Sequence, residues 1–230
     1  MISLKERFWK ARLLAILAAP LFAFAFAPAV FADEPPPFED PRAILEQLAL
    51  DPNNNIADVF NETDNSFETV GNVDLDVIEG PDVVPANIAW AQSTCTDCNS
   101  MAVALQLALY ESGATNVSPE NGAIALNIAC TRCFTYARAY QLVLPVNNSR
   151  DVAENAENEV EKLQKRLEKV LEKTREGKTA IDSSLAEIDT IVSDFRALGI
   201  AVQNGEFSTN HHGSEPGAQV ERQAMDVATQ

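Results

Sequence analysis

The residues best equipped for chemistry are four cysteines. They stand as two CxxC pairs, Cys95-Thr96-Asp97-Cys98 and Cys130-Thr131-Arg132-Cys133, and the chain has no others. Thiols in that pattern do three kinds of work. They close structural disulfides in an oxidising compartment. They exchange disulfides where a positive charge or a helix start stabilises a thiolate. They hold zinc where two pairs converge. Arg132 would favour a thiolate at the second pair and Asp97 would oppose one at the first. The gap between pairs is long for a zinc ribbon, and glycine-bearing knuckles are absent. Structural disulfides are therefore the expectation, with redox exchange and zinc as the alternatives.

Other chemistry finds little footing. The only histidines, His211 and His212, lie in a polar C-terminal stretch, so no Ser–His or Cys–His arrangement is available in the ordered part. There is no phosphate loop and no dinucleotide fingerprint. Carboxylates are abundant and none stands out. Asp51, Asn53, Asn55 and Glu62 match positions of a calcium loop, but Ile56 occupies the glycine position and Asp58 an apolar one. A solvated acidic linker is the expectation there. No catalytic residue, cofactor or metal is assigned.

The elements that must position the cysteines are read from a duplication. A shift of 35 residues lays Cys95–Leu109 over Cys130–Leu144 with eight of fifteen positions identical. That shift is a whole number of heptads. The seams Ile88, Ala91, Cys95, Cys98, Ala102, Leu105, Leu109 and Ala123, Leu126, Cys130, Cys133, Ala137, Tyr140, Leu144 carry no charge. Pro85 and Pro119 suit helix starts, Gly113 a helix end, and Pro145 a stop. The spacing predicts two antiparallel helices turning near Gly113. In such a hairpin Cys95 faces Cys133 and Cys98 faces Cys130, so bridges between those partners are expected.

Residues 1–32 read as a secretory signal peptide, with Lys5, Arg7, Lys10 and Arg12 before an apolar run from Leu13 to Val30. Cleavage after Ala32 is expected; an uncleaved anchor is the alternative. The leader carries four basic residues and one acid, so its removal takes the formal charge from −17 to −20. Such a chain does not bind nucleic acid by phosphate neutralisation, and anionic membrane surfaces repel it. Basic partners and cations remain.

Residues 33–84 read as an acidic, largely flexible linker, with a short amphipathic helix at Pro41–Leu50. Residues 85–145 form the duplicated CxxC hairpin. Residues 151–203 repeat apolar positions by threes and fours from Ala153 through Val160, Leu167, Ile188 and Phe195 to Val202. This predicts one continuous coiled-coil helix; Gly177 offers a turn between two shorter helices as the alternative. Residues 204–230 read as a flexible tail.

Asn87-Ile88-Ala89-Trp90-Ala91 before Cys95 and Cys98, with Ala102, Ala104 and Gln106 after them, and Cys130, Cys133, Ala137, Ala139 and Gln141 in the second copy, resemble a duplicated CxxC helical motif of exported bacterial proteins. The resemblance covers about 60 residues and implies no particular activity.

Together these readings predict an all-α protein: a disulfide-stapled antiparallel helical hairpin, a long coiled-coil helix and disordered ends. The expected function is that of a secreted or cell-envelope structural or protein-interaction protein. Its partner would be another protein or a second copy, met through the coiled coil, with no nucleic acid and no membrane after signal cleavage. The alternative is a thiol–disulfide redox protein.

Overall fold

The computed structural model describes residues 40–208 and 220–229. The signal peptide and its cleavage site, and His211 and His212, lie outside the described residues.

The all-α expectation is overturned. The described residues form nine strands and three helices, and the duplicated segment is β throughout. The chain winds three coils of a parallel β-solenoid. Coil one holds β1 (Asn55–Asn61), β2 (Phe67–Ile78) and β3 (Asp82–Val83). Coil two holds β4 (Ala86–Ser93), β5 (Asn99–Tyr110) and β6 (Asn116–Val117). Coil three holds β7 (Glu120–Asn127) and β8 (Phe134–Pro145). Stacking gives a narrow sheet ordered β1-β4-β7 and a wide one containing β2-β5-β8. In the wide sheet Met101 lies beside Tyr136 and Leu109 beside Leu144, the same 35-residue shift that the duplication shows. The repeat is thus an in-register parallel stack rather than two facing helices.

Side-chain size explains the architecture. Along β5, Met101, Val103, Leu105, Leu107 and Leu109 alternate with Ala102, Ala104, Gln106 and Ala108. The small residues point inward, where Ala57, Ala89, Ala91, Ala102, Ala104, Ala125, Ala137 and Ala139 form a thin core between the two sheets. The large residues point outward into a second core with the helices. Polar ladders fix the register between coils. Asn55 Nδ2 donates to Asn87 Oδ1 at 2.9 Å and Asn87 Nδ2 to Asn121 Oδ1 at 2.6 Å, all inside the coil. Gln141 Nε2 donates to Gln106 Oε1 at 2.8 Å one row away.

The segment expected to be a flexible linker supplies the first coil, preceded by α1 (Pro41–Leu48). The segment expected to be a flexible tail contains β9 (Val220–Thr229), which pairs antiparallel with β8 and closes that end of the stack. The continuous coiled coil is likewise corrected. Residues 149–203 fold as α2 (Ser149–Arg175) and α3 (Ile181–Gln203). Gly177 at φ +70° ends α2: its N–H donates to Thr174 O and the N–H of Lys178 to Lys173 O, a Schellman pair. The apolar seam is buried intramolecularly. Val160, Leu163, Leu167 and Leu171 of α2, with Ile188, Ile191, Phe195 and Leu198 of α3, pack on the outer face of the wide sheet. The buried row steps from Leu167 to Leu171, the drift of a straight helix on a sheet rather than of a supercoil.

An edge strand needs its free backbone groups answered. On β2 they meet the side chain of Gln164 in α2: Oε1 accepts from Val73 N at 2.6 Å and Nε2 donates to Gly71 O at 3.2 Å. Gly71 allows this approach, because a Cβ there would sit 2.8 Å from Leu167 Cδ2 and closer still to Leu171 Cδ1.

Candidate functional site

Each coil turns from the narrow sheet to the wide one through a tight loop. In coil one it is Thr63-Asp64-Asn65-Ser66; in coils two and three the CxxC tetrapeptides take its place. The third residue of each loop is left-handed: Asn65 at φ 57°, Asp97 at 55° and Arg132 at 56°. Asn and Asp adopt that region readily and Arg does not. Arg132 is held by a bidentate ion pair to Asp97 directly across the stack. That pair holds the Asp97 carboxyl below its ordinary range and raises the guanidinium. Backbone bonds continue the stack, from Asn65 N to Thr96 O at 3.0 Å and from Asp97 N to Thr131 O at 2.9 Å. Asp64 Oδ1 accepts from Thr96 N at 2.8 Å. The third loop is longer by one residue, since β4 and β7 are offset by 127 − 93 = 34 and β5 and β8 by 134 − 99 = 35. Ala129, at φ 50°, lies in that longer loop.

The four cysteines come together as expected, but their pairing differs. Bridges link Cys95 to Cys98 and Cys130 to Cys133, with Cα atoms 5.9 and 6.1 Å apart. The expected Cys95–Cys133 and Cys98–Cys130 bridges needed antiparallel elements. A parallel stack instead sets loop over loop, and each turn brings its own two cysteines within disulfide reach. The two bridges touch. Cys98 Sγ lies 3.6 Å from Cys133 Sγ and 3.8 Å from Cys130 Sγ. All four are buried, at 6, 0, 7 and 4% exposure in chain order.

The calcium-loop residues are not gathered into one site. Asn55 is consumed by the asparagine ladder, Glu62 pairs with Arg42, and Asp51 accepts from the backbone of Asn53.

Two features escaped the sequence reading. Asp74 and Asp76 sit two apart on β2 and so share its inner face, where Asp76 Oδ2 accepts from Gln106 Nε2 at 2.7 Å. Desolvation, then the charge of Asp74, pushes Asp76 up to about 7; Asp74 is also raised, chiefly by desolvation. The signal was the alternate carboxylates in register with the Gln106–Gln141 row. The second feature is the outer face of the narrow sheet. Ile56, Phe60, Ile88, Trp90, Ile124 and Leu126 point away from the coil. Phe60 stacks on Trp90 at 6.2 Å, and Arg42 lies over the Phe60 ring. Trp90 Nε1 is buried without a hydrogen-bond acceptor. Helices cover the outer face of the wide sheet, whereas this one is approached by α1 at the β1 edge. A shallow cleft beside it is lined by Glu46, Asp58, Glu62 and Glu68, with one cation, Arg42, paired to Glu62.

No family model, curated protein or solved structure matches this chain.

Proposed function

We propose that the chain is an exported, non-enzymatic interaction protein that binds a basic protein partner through the outer face of its narrow sheet. One observation carries the reading: a half-buried apolar row centred on Trp90, Ile88 and Ile124 faces away from the coil and, among the described residues, has no helical layer over it, in a solenoid whose other sheet is buried under helices. An apolar centre with a polar rim is the anatomy of a specific interface. The rim here is net acidic, at Glu46, Asp58 and Glu68 beside the Arg42–Glu62 pair, and the whole chain carries −17. Long-range attraction then selects cationic partners. Export rests on the basic and apolar leader at residues 1–32 and on an even set of cysteines, all bridged.

The test places a photo-crosslinking residue at Ile124 in the exporting cell, with Lys169 on the exposed side of α2 as the control. A discrete adduct from Ile124, lost on Trp90→Asp, absent from Lys169 and identified as a basic protein, supports the reading. No adduct, or the same pattern from both positions, sinks it. Sequencing the N-terminus of exported protein should begin at Asp33.

A second reading, thiol–disulfide exchange, is favoured by the bridging of each CxxC within itself. Against it stand the burial of the sulfurs and, among the described residues, the absence of a helix start beside either pair. Catalytic reduction of insulin by the full chain would raise it above the first.

A further inference from the structure

We propose that reduction converts the two stacked bridges into one tetrathiolate site, which takes a single zinc ion between the second and third coils. The inference does not depend on the interaction role above.

Geometry carries it. Tetrahedral zinc with bonds of about 2.3 Å has sulfurs about 3.8 Å apart along each edge. Cys98 already stands at that spacing from both sulfurs of the other pair, 3.8 Å from Cys130 and 3.6 Å from Cys133. Cys98, Cys130 and Cys133 form a group of sulfurs lying within 4.8 Å of one another. Cys95, in the same buried cluster but outside that group, must turn from Asn61 O towards the second pair as the partners within each pair part, and Cα separations of 5.9 and 6.1 Å leave room for this by side-chain rotation. The loops themselves are held without the bridges. Asp97 N donates to Thr131 O, Thr131 N to Cys95 O, and Arg132 pairs with Asp97. The cluster ends at four sulfurs, because coil one carries Thr63 and Ser66 at the corresponding positions.

Each disulfide accepts two electrons and two protons from a dithiol, which leaves as its own disulfide. Zinc then displaces four thiol protons and forms four zinc–sulfur bonds. The site is therefore closed while oxidised and available when reduced.

The experiment uses the full chain, reduced with a phosphine under argon, freed of reductant and titrated with zinc and, separately, cobalt. The expected result is one zinc per chain, four thiols shielded together from a thiol reagent, and cobalt ligand-field bands of a tetrahedral all-sulfur site. The Cys95→Ser/Cys98→Ser variant, still stapled by its other bridge before reduction, should lose stoichiometric binding. Two metals per chain, two shielded thiols, or undiminished binding in that variant would overturn the proposal. So would a reduced chain that unfolds, by circular dichroism, and is not restored by zinc.

Discussion

Replacing Gly71 by alanine tests how the helical layer is seated on the solenoid. The added methyl would lie 2.8 and 2.9 Å from Leu167 Cδ2 and Cγ, and nearer to Leu171 Cδ1. Both leucines are buried, at 0 and 3% exposure, so they have little room to yield. Overpacking of this kind costs about 1–3 kcal/mol. If α2 lifts to relieve it, the Gln164 bonds to Val73 N and Gly71 O lengthen, at about 1 kcal/mol each. Stiffening the unfolded chain returns about 0.4–1 kcal/mol. The net expectation is a loss of about 1–4 kcal/mol, which at roughly 2–4 °C per kcal/mol is a fall in Tm of roughly 2–16 °C. Urea unfolding followed by circular dichroism measures it. Leu167→Ala alone should cost about 2–5 kcal/mol. Combined with Gly71→Ala it should cost less than the sum by about 1 kcal/mol or more, since the cavity takes up the methyl. Strict additivity, or a Gly71→Ala protein within about 0.5 kcal/mol of the parent, would refute the reasoning.

Three further outcomes follow from the interior and the loops. Non-reducing peptide mapping should find bridges from Cys95 to Cys98 and from Cys130 to Cys133; removing one by paired serines should cost about 2 kcal/mol, the chain-entropy value for a four-residue loop, and a cross-coil bridge would refute the stack. Asn87→Ala should cost about 2–4 kcal/mol in urea unfolding, because one N–H of Asn55 Nδ2, the Oδ1 of Asn121 and the carbonyl of Ala104 lose it as a partner; Asn121→Ala, at the end of the ladder, should cost less. Asp76 holds its proton more tightly folded, near 7, than unfolded, near 3.8. Its contribution to stability is full below about pH 4, is lost as pH rises towards 7 and is flat above. The shift is worth at most about 4 kcal/mol, reduced to about 1–2 by partial solvent screening. Asp76→Asn should accordingly be more stable than the parent at pH 8 and level with it at pH 4, by urea midpoints; an unchanged pH profile would show that Asp76 titrates normally.

What the sequence alone determined was the repeat, its 35-residue shift, the centrality of the four cysteines and the apolar seams of the last helical stretch. It also contained the alternation of Met101, Val103, Leu105, Leu107 and Leu109 with alanines and Gln106. That alternation is one of volume, not of polarity. Methionine, valine, leucine and alanine are all apolar, so a search for polar contrast sees no strand, while residues picked at threes and fours, such as Ala91, Cys95, Cys98, Ala102, Leu105 and Leu109, mimic a helix seam. Only the tertiary structure separates the two readings, because the alanine face needs a second thin sheet to close on and the large face needs α2 and α3. The same decision sets the cysteine chemistry. Antiparallel neighbours keep a constant sum of residue numbers and would join Cys95 to Cys133; parallel neighbours keep a constant difference and set one CxxC loop upon the next. Gly177 was legible as a point where the helix could turn, but its left-handed φ of +70° follows from α3 having to return across the wide sheet. The acidic first coil was the least legible part. Its strands are polar and irregular in sequence, and they are ordered by the coil stacked beneath them, through Asn55 on Asn87 and Asp76 on Gln106.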